Sequence, residues 1–268
     1  MNPTKLQVLI TVKTYPIPSS TYDELVCTAG VTENGDFIRL YPINFRELAE
    51  HQQYRKYQWI ELDAVKHTGR DKRKESFRPI TESIVVRGDP IPTHRGSWSE
   101  RGQYVLAKKT RSMEDLWDRQ AADHTSLGVF RPKEVQDLVI SPDDTDWKPS
   151  FKAELRQQRI WEDRTVSREP LRKVPFKFHY RFSCDDSRCR GHKMMIEDWE
   201  VGALFWRLAD QGTSHEEASE LVKQKFLREL CGGDKDSHFF VGTVLNYPRS
   251  WIVLGVFYPK KQQPTLFD

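Results

Sequence analysis

The chain has 268 residues, enough for one large domain or two modest ones with hydrophobic cores. With 37% hydrophobic and 30% charged residues, no apolar run approaches the roughly 18–20 residues of a membrane helix, which excludes a helical membrane protein. A net charge of +3 excludes a general polycation, so any contact with nucleic acid has to come from local clustering of cations.

The opening "MNPTKLQVLITVKTYP" has a short apolar run and no small-residue cleavage site, which predicts no secretory signal and a cytoplasmic location. Four cysteines in a chain of this length do not make a disulfide framework. In a reducing compartment a close cysteine pair is instead a metal or redox feature.

In chain order, "QVLITVKTYP" predicts a strand ended by Pro16 and Pro18. "ELVCTAGVTENGDFIRLYPI" predicts a hairpin, because Asn34-Gly35 can supply the positive φ angles of a tight turn between β-prone flanks. "YQWIELDAVK", "SIVVRG" and "QYVLAKK" predict further strands. "SMEDLWDRQAAD" predicts a helix capped by Ser112, with Glu114 and Asp115 at its positive end. "SLGVF" and "DLVISP" return to strand character, and the polar residues 142–172 read as a connection. "KVPFKFHYRFSC" alternates strictly, with Phe176, Phe178, Tyr180 and Phe182 on one face and Lys177, His179 and Arg181 on the other. The aromatic face packs on a core, and the basic face meets solvent or a ligand. "EDWEVGALFWRLAD" and "SHEEASELVKQKFLREL" predict helices, the second with a capping box of Ser214 and Glu217. "SHFFVGTV" and "SWIVLGVFYP" predict two paired strands before the tail.

Four groups of residues carry candidate chemistry. Cys184, Cys189 and His192 have the spacing C-x4-C-x2-H, and thiolate with imidazole is a zinc donor set. Cys231 is the first candidate for a fourth ligand, with His238 and His179 behind it. The competing reading makes Cys184 a small buried strand end and His192 a polar turn residue. A second group, Asp198, Glu200, Asp236 and His238, could hold Mg²⁺ for phosphodiester hydrolysis. Its ordinary explanation is helix capping and surface charge.

The third group is two basic stretches. "KHTGRDKRKESFRP" carries Lys66, Arg70, Lys72, Arg73, Lys74 and Arg78 with Phe77, and "THRGSWSERGQY" carries Arg95, Trp98 and Arg101. Cations with interleaved aromatic rings suit phosphates and stacked bases of DNA or RNA, single- or double-stranded, although Asp71, Glu75 and Glu100 dilute the charge. "GDFIRLYPINFREL" and "YRKYQWIELDAVK" resemble an uncharacterised bacterial family described as carrying two OB-like barrels. That resemblance implies an oligonucleotide-binding fold and no particular chemistry. The fourth group is the terminal "QPTLFD", which resembles the bacterial sliding-clamp-binding motif through Gln263, Leu266 and Phe267.

The expected architecture is therefore α+β. Residues 1–141 form a mostly β region of one or two small OB-like barrels, and 142–172 connect. Residues 173–259 form a smaller α+β domain with the Cys/His site, and 260–268 form a flexible tail. The expected function is nucleic-acid binding, with recruitment to the sliding clamp through the tail. A metal-dependent nuclease and a protein adaptor are the alternatives.

Overall fold

Strand β1 (Thr4–Lys13) is buried on both sides in the computed structural model, which describes residues 2–19, 23–69, 71–94, 96–149, 171–245 and 247–261. Val8 and Ile10 enter one core while Leu9 and Val12 enter another. That is why "QVLITV" reads as a continuous apolar run rather than an alternating one. There follow β2 (Ile17–Ser19), β3 (Asp23–Val31), β4 (Phe37–Ile43), β5 (Trp59–Lys66), β6 (Ser76–Pro79) and β7 (Val85–Arg87). The β3–β4 hairpin turns at Gly35, whose φ of 76° is one that side chains with a Cβ rarely adopt.

β1 pairs antiparallel with both β3 and β5, β3 pairs with β4, β4 runs parallel to β6, and β6 pairs back onto β5. The ring β1-β3-β4-β6-β5 closes on itself as a five-stranded barrel. Its Greek-key order, with a parallel contact between the third and fifth ring strands in chain order, is that of an OB-type barrel. Val8, Ile10, Val26, Ile38, Leu40 and Leu62 fill it.

Helix α1 (Ser99–Val105) takes in the first three residues of "QYVLAKK", for which a strand is expected, and a turn follows. Tertiary packing overrides the local β preference here, since Trp98, Tyr104, Val105 and Leu106 all pack into one apolar cluster. Helix α2 (Met113–Asp123) forms as expected, with the Ser112 side chain accepting from the Asp115 N–H.

The C-terminal part contains β8 (Leu127–Phe130), β9 (Glu134–Pro142), β10 (Phe176–Ser183), β11 (His192–Met195), α3 (Trp199–Asp210), α4 (His215–Lys223), β12 (His238–Val244) and β13 (Tyr247–Phe257). Its strands form two sheets, β9-β10-β11 and β8-β12-β13. A parallel bridge between Ile196 and Val253 joins them. With β8 and β9 taken as the two halves of one bent strand, the neighbour order repeats that of the first barrel. Helices α3 and α4 are inserted between the third and fourth strands, and send Val201, Phe205 and Val222 into the same core as Phe178, Tyr180 and Phe182. The expected boundary at residue 141 moves upstream accordingly, because β8 and β9 pair with strands of the C-terminal part.

The two parts share an apolar interface. Leu9, Val12, Ala29 and Val31 on the outer side of the first barrel meet Leu127, Val129, Phe240 and Leu254. Arg39 is buried in this seam and donates from Nη2 to the Ser126 carbonyl at 2.8 Å. The outer face of β1, β3 and β4 is thus covered by protein, while among the described residues nothing covers the outer face of β9, β10 and β11. No helix among the described residues is long and apolar enough to cross a membrane.

Candidate metal centre and nucleic-acid interface

The basic stretch 66–79 is the connection between β5 and β6 together with their ends. The expected run of free cations is not what it presents. Arg73 is largely buried, forks onto Asp71 at 2.8 Å and donates to the Thr243 carbonyl at 3.2 Å. Burial pushes the Asp71 carboxyl up, but Arg73 outweighs it and holds that carboxyl below its usual range. Lys74 pairs with Asp123. Lys66 sits 4.3 Å from the Phe77 ring centroid and donates to the Lys74 carbonyl. Phe77 itself packs against the first barrel's core, and Lys66, Lys72 and Arg78 are exposed and make no ion pair among the described residues. Arg70 lies outside the described residues.

The second basic group is also locked. Trp98 packs 4.6 Å from Tyr258 and 5.1 Å from Phe257 by ring centroids. The Arg101 guanidinium lies 4.1 Å from the Tyr57 centroid, and its Nε donates to the Ile91 carbonyl at 2.7 Å. Arg95 lies outside the described residues. Among the described residues a continuous trough of cations over the first barrel is therefore not assembled, because Arg73, Lys74 and Trp98 make contacts between the two parts and Arg101 stacks on Tyr57.

The four carboxylate and histidine candidates for Mg²⁺ do not share a site either. Asp198 caps α3, accepting from the Glu200 N–H, and both its oxygens lie 2.8 Å from Lys56 Nζ. Glu200 reaches the same lysine at 3.2 Å. Asp236 pairs with Arg131 at 2.9 Å. His238 is buried with Nδ1 2.9 Å from the Asp236 carbonyl oxygen. Each acid has a structural partner, and only one group of His, Cys, Asp and Glu among the described residues can share an ion, elsewhere.

That group is Glu114, Cys184, Cys189 and His192, whose candidate ligand atoms all lie within 4.8 Å of one another. Cys184 directly follows β10 and His192 opens β11. The pairing of Phe182 with His192 folds the intervening loop back on itself, and Gly191, with φ 86°, turns it. Backbone N–H groups of Cys184 and Gly191 donate to Cys189 Sγ at 3.2 and 3.4 Å. Cys189 Sγ lies 3.3 Å from His192 Nε2, which lies 3.1 Å from Glu114 Oε1. Burial pushes the Cys184 thiol up to about 12, and the neighbouring Glu114 and Cys189 add to this. Burial also lowers the basicity of His192, against the pull of Glu114. Two thiols and a carboxylate thus face one small buried space, an arrangement suited to a cation.

Cys231, the expected fourth ligand, does not join them. Its sulfur lies 3.9 Å from the Tyr180 hydroxyl, where burial pushes the thiol up to about 12. His179 and His238 are not in the group. Glu114 was read from sequence only as a helix-end acid. The usable signal was its place between Met113 and Leu116, both fully buried, in the first turn of α2.

The uncovered face of β9-β10-β11 gathers the other cations. Cross-strand register places Asp137, Arg181 and Lys193 in one row, and Val139, His179 and Met195 in the next. Lys177 follows on the same side of β10. Asp143 is shared by Lys173 and Lys177 at 3.0 and 2.8 Å, and Asp137 is taken by Lys223 at 2.8 Å. Arg181 and Lys193 are exposed and make no ion pair among the described residues. His179 Nδ1 is buried and has no hydrogen-bond partner among them. Burial, then Lys193 and Lys177, lower the basicity of His179.

Residues 108–268 match the family model described as Domain of unknown function (DUF8757), and residues 4–107 match Domain of unknown function (DUF8758). No curated protein matches. Among solved structures, the chain is similar to one entitled "Structure of murine DNA binding protein bound with ds DNA", a mouse protein, with a TM-score of 0.32 and 11% identity over 99% of each chain. Gln263, Leu266 and Phe267 of the clamp-like motif lie outside the described residues.

Proposed function

The chain belongs to the DUF8757 family, and we propose that it binds nucleic acid on the outer face of β9, β10 and β11. The observation that carries this is the exposed block of Arg181 and Lys193 beside His179, flanked by the apolar Val139 and Met195. In an OB-type barrel the second and third strands form the face that meets oligonucleotides, and here those are β10 and β11. Cations to follow phosphates, next to apolar side chains that bases can cover, suit a single strand. The equivalent face of the first barrel is sealed by Leu127, Val129 and Phe240, which directs the reading to the second.

Zinc is the metal that suits Cys184, Cys189 and His192, two sulfur donors and one imidazole nitrogen. It would fix the loop between β10 and β11, and so the edge of the binding face. On sequence alone, Gln263, Leu266 and Phe267 add a contact to a bacterial sliding clamp. Leu266→Ala with Phe267→Ala abolishes clamp pull-down on that reading.

The test is fluorescence anisotropy with labelled single- and double-stranded DNA and RNA, with and without Mg²⁺. Binding that weakens as salt rises, without cleavage, is expected. Arg181→Glu with Lys193→Glu should reduce affinity at least about tenfold, since two phosphate contacts are lost and two repulsions gained. Unchanged affinity in that variant overturns the assignment of the face.

A further inference from the structure

We infer that Glu114 is the fourth ligand of a single tetrahedral zinc ion, and that this ion fastens helix α2 to the loop between β10 and β11. This rests on the zinc reading of Cys184, Cys189 and His192, and adds to it a ligand from a distant segment and a mechanical role.

The geometry carries the assignment. Zinc bonds of about 2.0–2.3 Å in a tetrahedron hold ligand atoms roughly 3.3–3.8 Å apart. His192 Nε2 already lies 3.1 Å from Glu114 Oε1 and 3.3 Å from Cys189 Sγ. All four candidate atoms lie within 4.8 Å of one another, so a small closure completes the polyhedron. Glu114 is only 3% exposed, and apart from the His192 ring nitrogen 3.1 Å from Oε1 its carboxylate oxygens meet no donor among the described residues. A buried carboxylate so poorly supplied with donors is costly unless a cation meets it. The backbone donors on Cys189 Sγ are the outer contacts that orient a metal thiolate.

The ion would sit at a joint. On either side of the ligand group, α2 already meets the loop through Ser112 Oγ to Asp186 at 3.0 Å and Arg188 to Asp118 at 2.9 Å. The other end of α2 reaches the first barrel, where Lys74 pairs with Asp123 and its N–H donates to the His124 carbonyl at 3.3 Å. Binding releases two thiol protons and brings in one divalent cation, so the net charge of the site is unchanged while Glu114 gains a cation in direct contact and α2 is tied to the loop.

The test uses the full chain, stripped of metal and titrated with Zn²⁺ and with Co²⁺, beside Glu114→Gln. Hydrogen exchange of residues 112–124 and 184–192 is followed on the unsubstituted protein with and without chelator, which needs no variant to fold. One equivalent of metal, a tetrahedral cobalt spectrum with thiolate absorption, affinity weakened more than about tenfold by Glu114→Gln, and faster exchange of both segments on chelation are expected. If Glu114→Gln keeps the affinity and cobalt spectrum, or chelation leaves exchange in 112–124 unchanged, this inference falls while the zinc reading stands. If the unsubstituted protein binds neither ion, both fall.

Discussion

Lys56 Nζ lies 2.8 Å from both carboxylate oxygens of Asp198, so a lysine from the N-terminal part is the counter-ion of a helix cap in the C-terminal part. Asp198 is 1% and Lys56 12% exposed at the side chain, which makes this a buried pair. Removing one member strands the other charge. Lys56→Ala is therefore expected to cost about 3–5 kcal/mol in urea unfolding. Lys56→Met with Asp198→Leu should cost less, about 1 kcal/mol of it for the lost helix cap, because both buried charges leave together. A single substitution costing under about 1 kcal/mol would show that the pair does not join the two parts. The same geometry predicts that Asp198→Asn alters no phosphodiester cleavage.

Lys13 lies in the same seam, 4.0 Å from the centroid of Phe45 and 5.1 Å from that of Trp199. Burial, then repulsion from Lys56, lowers its pKa to about 8 from 10.5. A lysine with a lowered folded value binds fewer protons folded than unfolded between those two limits. Its penalty is full below pH 8 and fades as pH rises towards 10.5. Lys13→Met should thus be more stable than the parent at pH 7 by on the order of 2 kcal/mol, less about 1 for the lost contact with Phe45. The advantage should shrink as pH approaches 10. Parallel stability curves for the two proteins between pH 7 and pH 10 would contradict the placement of Lys13.

Trp98 and Arg101 look like nucleic-acid contacts in the sequence and serve packing in the fold. Trp98 lies between Tyr57, Phe257 and Tyr258, and Arg101 stacks on Tyr57. Trp98→Ala is expected to lower stability by about 3 kcal/mol. At temperatures where the variant is still folded, its affinity for nucleic acid should match the parent's. Loss of affinity at full folding, checked by circular dichroism, would return Trp98 to the binding surface.

Local structure was largely legible and spatial assembly was not. The Asn34-Gly35 turn, the Ser112 and Ser214 caps and the alternation of β10 all act within a few residues, where chemistry and conformation are directly coupled. The repeat of the strand order in the C-terminal part was hidden because its first strand is bent into β8 and β9 and two helices interrupt its second half. Three ligands of the metal group share one short loop and were visible as spacing. Glu114 is set beside them only by the docking of α2, which no spacing rule encodes. The basic loops misled for a related reason. A charge count records Arg73 and Asp71 as two ions, whereas the fold joins them into one buried pair.

His179 offers a test of the binding face by pH. Its basicity is lowered by burial and by Lys193 and Lys177, so the free protein keeps it neutral until pH falls below the ordinary histidine range. A phosphate docked beside it favours the protonated ring and raises its pKa in the complex. Between the raised and the lowered value, the complex holds a proton that the free protein does not, so affinity increases as pH falls through that window. Above it the dependence on pH is flat. His179→Gln should remove the increase while leaving the salt dependence in place, since Arg181 and Lys193 still meet the phosphates. Anisotropy titrations from pH 5.5 to pH 8 at fixed salt measure this. The same rise in His179→Gln as in the parent would mean that the nucleic acid follows another face.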